Sequence, residues 1–152
     1  MRKTLLLLIS LFITLSSIDG NAQKRDTNHG RVIIVNPNLK APLTPKEEAL
    51  IKEVYQDQFN SQVLNNAERL RNIKDILRNR VEIQQIADFP KEVKMLSEVA
   101  IFNKYNAQLS RKRFDKDNFN PLSYNFDFFS NSTQIYRVDN TDYYIVIKSQ
   151  YQ

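Results

Sequence analysis

Cysteine is absent from the chain, glycine occurs twice and histidine once. Without a thiol there is no disulfide, no thiolate nucleophile and no cysteine-based zinc or iron–sulfur site. Nor is there a sulfur to carry the lipid of an exported lipoprotein, so stability has to come from a packed core. The glycines, Gly20 and Gly30, cannot build a phosphate-cradling loop, which needs several glycines at fixed spacing so that backbone amides can approach phosphate. The sequence therefore predicts no nucleotide and no other cofactor. The single histidine, His29, lies in the polar stretch Lys24-Arg25-Asp26-Thr27-Asn28-His29-Gly30. General-base chemistry requires an imidazole held by an orienting partner, and a stretch of that composition does not supply one.

What is present begins with a leader. Met1-Arg2-Lys3 is a short basic start, Leu5 to Leu15 is an apolar run broken by Ser10 and Thr14, and Gly20-Asn21-Ala22 provides small residues before Gln23. These are the three parts of a secretory signal peptide, and the leader resembles a Gram-negative bacterial export signal. The apolar run falls short of the roughly 20 residues of a spanning helix. The expectation is cleavage after Ala22, a flexible arm over 23–30 and a single domain over 31–152. The product would be exported to the periplasm or the outer membrane, or beyond it, and would not span a membrane after cleavage. Loss of Arg2, Lys3 and Asp19 takes the formal charge from +5 to +4, and a chain of this size can bury most of its apolar surface without a staple.

Along the domain, Arg31-Val32-Ile33-Ile34-Val35 reads as a short buried strand ended by Asn36-Pro37-Asn38. Thr44-Pro45-Lys46-Glu47 carries the signals of a helix start: Thr as N-cap, Pro at the first position and Glu closing a capping box. Leu50, Ile51, Val54, Tyr55 and Phe59 then share one helical face. After a polar break at Asn60-Ser61, Val63, Ala67, Leu70, Ile73 and Leu77 repeat at helical spacing. The segment 80–87 fits either a strand or a continued helix, Val93, Leu96, Val99 and Ala100 suggest a third helix over 91–101, and Asn103 to Asp117 reads as loop. In the C-terminal third, Leu122, Tyr124, Phe126 and Phe128 alternate with Ser123, Asn125, Asp127 and Phe129, the period of a half-buried strand. Turns at Asn131-Ser132 and Asp139-Asn140-Thr141-Asp142 separate it from strands at 134–138 and 143–148. The predicted fold is α+β: two or three helices on a mostly antiparallel sheet formed by the C-terminal meander plus the 31–35 strand, placed beside the last strand.

No catalytic set emerges. Arg111-Lys112-Arg113, followed by Phe114, Phe119 and Tyr124, mixes cations with aromatics as nucleic-acid sites do. Asp115 and Asp117 offset part of the charge, so the cluster reads as a solvated loop with at most weak, salt-sensitive anion binding at Arg111, Lys112 and Arg113, and nucleic acid is not expected. Asp115-Lys116-Asp117-Asn118 and Asp139-Asn140-Thr141-Asp142 offer oxygen ligands but lack the glycine and terminal glutamate of a calcium loop, so no metal is expected. Glu47 and Glu48 are adjacent, do not face each other on a helix, and suit the positive end of the helix dipole. Phe129, Tyr144 and Val146 fall on the outward parity of the sheet, and an exposed apolar face of that kind marks a contact surface. The expected function is that of a small non-catalytic protein binding another cell-envelope protein through these residues. The alternatives are a carboxylate-dependent hydrolase of envelope glycans and a module binding anionic envelope polymers. A cleft holding two acidic side chains would favour the hydrolase.

Overall fold

A computed structural model describes residues 37–87, 89 and 92–151. The leader, the arm with His29 and the strand predicted at 31–35 lie outside the described residues. The fold is α+β, with two α-helices and a four-stranded mixed sheet among the described residues.

Helix α1 spans Pro45–Tyr55 and starts where the sequence places it. Thr44 Oγ1 accepts from the Glu47 amide at 3.2 Å while Glu47 Oε2 accepts from the Thr44 amide at 2.8 Å, closing the capping box. Pro45 loses nothing there, because a first-turn amide has no intrahelical acceptor. The helix ends at Gln56, whose φ of 42° and ψ of −124° are unusual for a residue with a Cβ. A 3₁₀ turn, Gln56–Gln58, and a π-helical turn, Phe59–Leu64, carry the chain to α2, Ala67–Asp75. The interruption expected at Asn60-Ser61 therefore falls at Gln56 and at Asn66, whose side chain caps α2 by accepting from the Arg69 amide at 2.9 Å. Ile51, Val54, Tyr55, Phe59, Val63, Ile73 and Ile76 join Leu109 and Leu122 in one core cluster.

A π-helical turn, Ile76–Arg80, hands the chain directly to strand β1, Val81–Gln85, so the ambiguous 80–87 segment is mainly strand. The remaining strands are β2, Lys94–Met95, β3, Gln134–Arg137, and β4, Tyr143–Ile147. Their order is β1-β4-β3-β2, with β4 antiparallel to both neighbours and β2 parallel to β3. Both sides of β4 are thus occupied, by β1 and β3, and the place assigned to the 31–35 strand is filled by Val81–Gln85. Two further expectations are corrected. The third helix over 91–101 is instead β2 followed by a single 3₁₀ turn, Leu96–Glu98, since Val93, Leu96 and Val99 repeat every three residues and fit a tighter turn as well as a helix.

The meander's first strand at 122–129 is also absent. Pro121 lacks the amide a ladder needs, and Asn120 Oδ1 accepts from the Leu122 amide at 3.1 Å, bending the chain into a 3₁₀ turn, Pro121–Ser123. Beyond it the segment's backbone pairs with Ala100–Phe102, through the bridge between Ile101 and Tyr124 and the flanking bonds from the Phe102 amide to Ser123 O and from the Asn125 amide to Ala100 O. The alternation survives without a strand: Tyr124 and Phe126 are buried, Asn125 and Asp127 exposed. Leu96, Val99, Tyr124, Phe126, Tyr136, Val138, Ile145 and Ile147 form the second core cluster, under the sheet. Ile145 and Ile147 are at most 1% exposed, each contributing about 1.5–3 kcal/mol by burial. The β3–β4 connection turns at Asn140, whose φ of 55° is tolerated by asparagine.

Buried cations clamp these parts together. Arg80 donates to the carbonyls of Lys148 and Phe128, joining β4 to the aromatic segment. Lys74 donates to Ala41 O at 2.7 Å, fixing the approach to α1.

Candidate functional site

The residues singled out by sequence do not assemble into one site. Phe129 is 62% exposed, but Tyr144 and Val146 are 3% and 9% exposed. Their face of the sheet carries Glu82 and Ile135 opposite Val146, and Gln84 and Arg137 opposite Tyr144. The Phe89 ring packs on Tyr144 with centroids 4.7 Å apart, and the Arg137 guanidinium lies 6.0 Å from the same ring. Side chains of the sheet and Phe89 therefore cover what sequence parity left bare.

The basic cluster divides as well. Arg111 donates to the carbonyls of Leu96, Ser97 and Val99 at 2.7, 3.0 and 2.7 Å and sits 5.4 Å from the Tyr124 ring, which makes it a clasp on the 96–99 turn. Lys112 bonds Glu53 Oε1 at 2.5 Å, and Arg113 lines a small cleft beside this pair. The acidic loops behave as turns: Asp115 accepts from the Asp117 amide at 3.0 Å and from Asn118 Nδ2 at 2.7 Å, and Asp139 accepts from the Ser97 amide at 3.0 Å. Among the described residues, no three His, Cys, Asp or Glu side chains come together as a metal-binding group. Glu47 pairs with Arg78, and Glu48 with Lys52 one turn on.

Among the concavities of the described residues, two share Tyr124. The larger is a groove of about 490 Å³ between α2 and the 102–129 segment. Its aromatic lining includes Tyr55, Phe102, Tyr105, Phe126 and Phe128, with Phe129 at its lip, while Glu68, Arg69, Asn72 and Lys104 supply polar groups. Tyr55 and Tyr105 stack with centroids 4.9 Å apart, and Phe102 meets Tyr105 edge-on at 5.9 Å. Arg69 Nη1 is held by Gln62 Oε1 at 2.7 Å, so the charge beside this aromatic wall is fixed. Burial pushes the Tyr55 and Tyr124 phenols up, leaving both as neutral hydroxyl donors at pH 7.

The smaller concavity, about 240 Å³, is polar and includes Glu53, Ser110, Lys112, Arg113, Asp115 and Ser123, with Phe114, Phe119 and Tyr124 as aromatic wall. It holds two carboxylates, the arrangement that would suit a hydrolase, but their environments suit a different task. Burial pulls Glu53 upward, yet hydrogen bonds from Lys112 and Asn120 and the Lys112 charge outweigh it and hold the carboxyl below its usual range. Bonds from Asn118 and from the Asp117 amide likewise hold Asp115 down. A glycosidase acid has to be raised so that it carries a proton. Both groups here are ionised acceptors.

Neither Glu53 nor Ser123 stood out in the sequence. Glu53 lies on α1 between Leu50 and Val54, at the border of the apolar face, and that position is its only local signal. No family model, characterised protein sequence or solved structure matches the chain.

Proposed function

We propose that this is a small exported, non-catalytic protein of the periplasm or outer membrane that binds another cell-envelope protein, and that the binding surface is the aromatic groove. The observation that carries this reading is Phe129. A phenylalanine 62% exposed at the lip of an aromatic groove, beside a fixed arginine, has the makeup of an interface core, where aromatic residues and arginine are enriched. Exposed apolar surface of this sort is retained where a partner covers it. The ionised carboxylates of the neighbouring cleft support binding rather than proton transfer. Among the described residues no helix is long and apolar enough to cross a membrane.

A photo-reactive side chain placed at position 129, compared with one at Tyr151, which is 60% exposed and does not line the groove, tests the reading in cells. The expected result is a discrete crosslink to one envelope protein from position 129 and none from 151, with Phe129→Asp abolishing co-purification of that protein while the fold persists. Retention of the partner by Phe129→Asp would refute the groove as its site.

A further inference from the structure

We propose that the polar cleft between α1 and the 110–124 segment is a binding site for a single pyranose sugar, held without being cleaved. This goes beyond the groove, with which it shares only Tyr124 and from which it differs in chemistry.

Ser123 is the first reason. It is 7% exposed, its amide donates to Asn120 O at 3.2 Å and its carbonyl accepts from the Phe102 amide at 2.9 Å. Its hydroxyl, however, bonds no other protein group and borders the cleft. Because no sealed-off side-chain polar atom among the described residues lacks a partner, this hydroxyl is open to the cleft, where water or an entering ligand can bond it. The second reason is the prearranged pair opposite it. Glu53 receives Lys112 on Oε1 at 2.5 Å and Asn120 on Oε2 at 3.0 Å. A carboxylate offers about four lone-pair sites and an ammonium three donors, so each keeps capacity for a ligand. Asn120 is itself buried and anchored to Leu50 O at 2.8 Å, so the carboxylate is oriented from behind.

The chemistry of the walls selects the ligand class. Lys112 and Arg113 are balanced by Glu53 and Asp115, so an anion meets two carboxylates and a cation meets two basic groups. A neutral ligand that both donates and accepts fits this mixture, as the hydroxyls of a sugar do. Its C–H face requires an apolar wall, which the half-buried Phe114 and Phe119 provide, backed by buried Tyr124, whose ring stacks on Phe119 at 5.4 Å and 27°. The volume of about 240 Å³ is below the roughly 300 Å³ of the smallest drug-sized sites, which suits one sugar ring.

The test is titration of the nitrogen-labelled protein, followed by amide shifts, with glucose, galactose, mannose and N-acetylglucosamine, and separately with inorganic phosphate. At least one sugar is expected to give saturable shifts confined to residues 50–54 and 110–124. Ser123→Ala should weaken that binding about fivefold, the effect of one lost neutral hydrogen bond. Lys112→Ala, at a side chain 75% exposed and thus harmless to the fold, should weaken it comparably, whereas Phe129→Asp should leave it unchanged. Saturation by phosphate alone would make the cleft an anion site and overturn the proposal. So would the absence of saturable shifts with every sugar, or sugar binding indifferent to both Ser123→Ala and Lys112→Ala.

Discussion

The Glu47 carboxylate does two jobs, and removing it at two pH values separates them from every other contribution to stability. Its Oε1 receives Arg78 Nε at 2.5 Å, and its Oε2 receives both Arg78 Nη2 at 2.7 Å and the Thr44 amide at 2.8 Å. The side chains of Arg78 and Glu47 are only 8% and 12% exposed, so solvent screens the pair weakly. The Arg78 hydrogen bonds, helped by those of Thr44, bring the Glu47 carboxyl from 4.5 down to about 2. That difference corresponds to about 3 kcal/mol of stability. Because the folded value is depressed, the contribution is complete above pH 4.5 and is lost as pH falls from 4.5 towards 2. Glu47→Gln keeps the size of the side chain and removes its charge. It should therefore lower the unfolding free energy by about 3 kcal/mol at neutral pH, with Arg78 left to its carbonyl acceptors Asn38, Ala41 and Pro42. At pH 2 Glu47 of the folded wild type is about half protonated, most of the contribution is lost and the two proteins should differ little. Thr44→Ala is the control: it removes the cap hydroxyl, spares the ion pair, and should cost about 1 kcal/mol, largely independent of pH. Urea unfolding of the three proteins at both pH values provides the numbers. A Glu47→Gln deficit that stays constant down to pH 2 would show that the charge on Glu47 is not what stabilises the α1 terminus.

Other perturbations probe other parts of the fold. Gln56→Gly should raise the unfolding free energy by about 1 kcal/mol, since φ 42° and ψ −124° strain a residue with a Cβ; a lower value in urea unfolding would mean the strain is absent. Arg111→Ala should cost about 2 kcal/mol through the three carbonyls it holds, whereas Arg113→Ala at the exposed end of the cluster should change stability by less than about 0.5 kcal/mol. Equal effects would contradict the different roles given to these neighbours. Val146→Asp should abolish cooperative unfolding, because a carboxylate would enter a site 9% exposed, while Phe129→Asp should fold normally; circular dichroism melts distinguish the two outcomes.

The parts of this protein legible in its sequence are those settled within a few residues. The capping box of Thr44 and Glu47 is one, since its partners are three positions apart and need only a helical turn to meet. The turn at Asn140 is another, because the φ of 55° depends on that residue's own tolerance. The apolar face of Ile51, Val54 and Tyr55 is a third, since helical spacing puts those positions together wherever the helix lies.

Alternation marked correctly that Tyr124 and Phe126 are buried and Asn125 and Asp127 exposed, but not that Ser123 is buried or that the segment would remain outside the sheet. Burial parity requires only extended backbone, whereas a strand requires a neighbour with free amides and carbonyls. The long side of β4 was filled by Val81–Gln85, a segment whose pattern fitted helix or strand equally. Tyr144 and Val146 had the outward parity expected of a bare face, yet Phe89 and the opposing residues of β1 and β3 cover them. The cleft lay further out of reach, because Asn120 bonds Leu50 O and Glu53 across about 70 positions of chain. The sequence by itself determined the helix start, the turns, the buried face of α1 and the α+β class, all of which follow from local sterics, hydrogen bonds and hydrophobic period. Only the tertiary structure decided which segment pairs with β4, which apolar faces stay open, and that Glu53, Lys112 and Ser123 share one cavity, because those outcomes depend on which distant groups compete for the same neighbour.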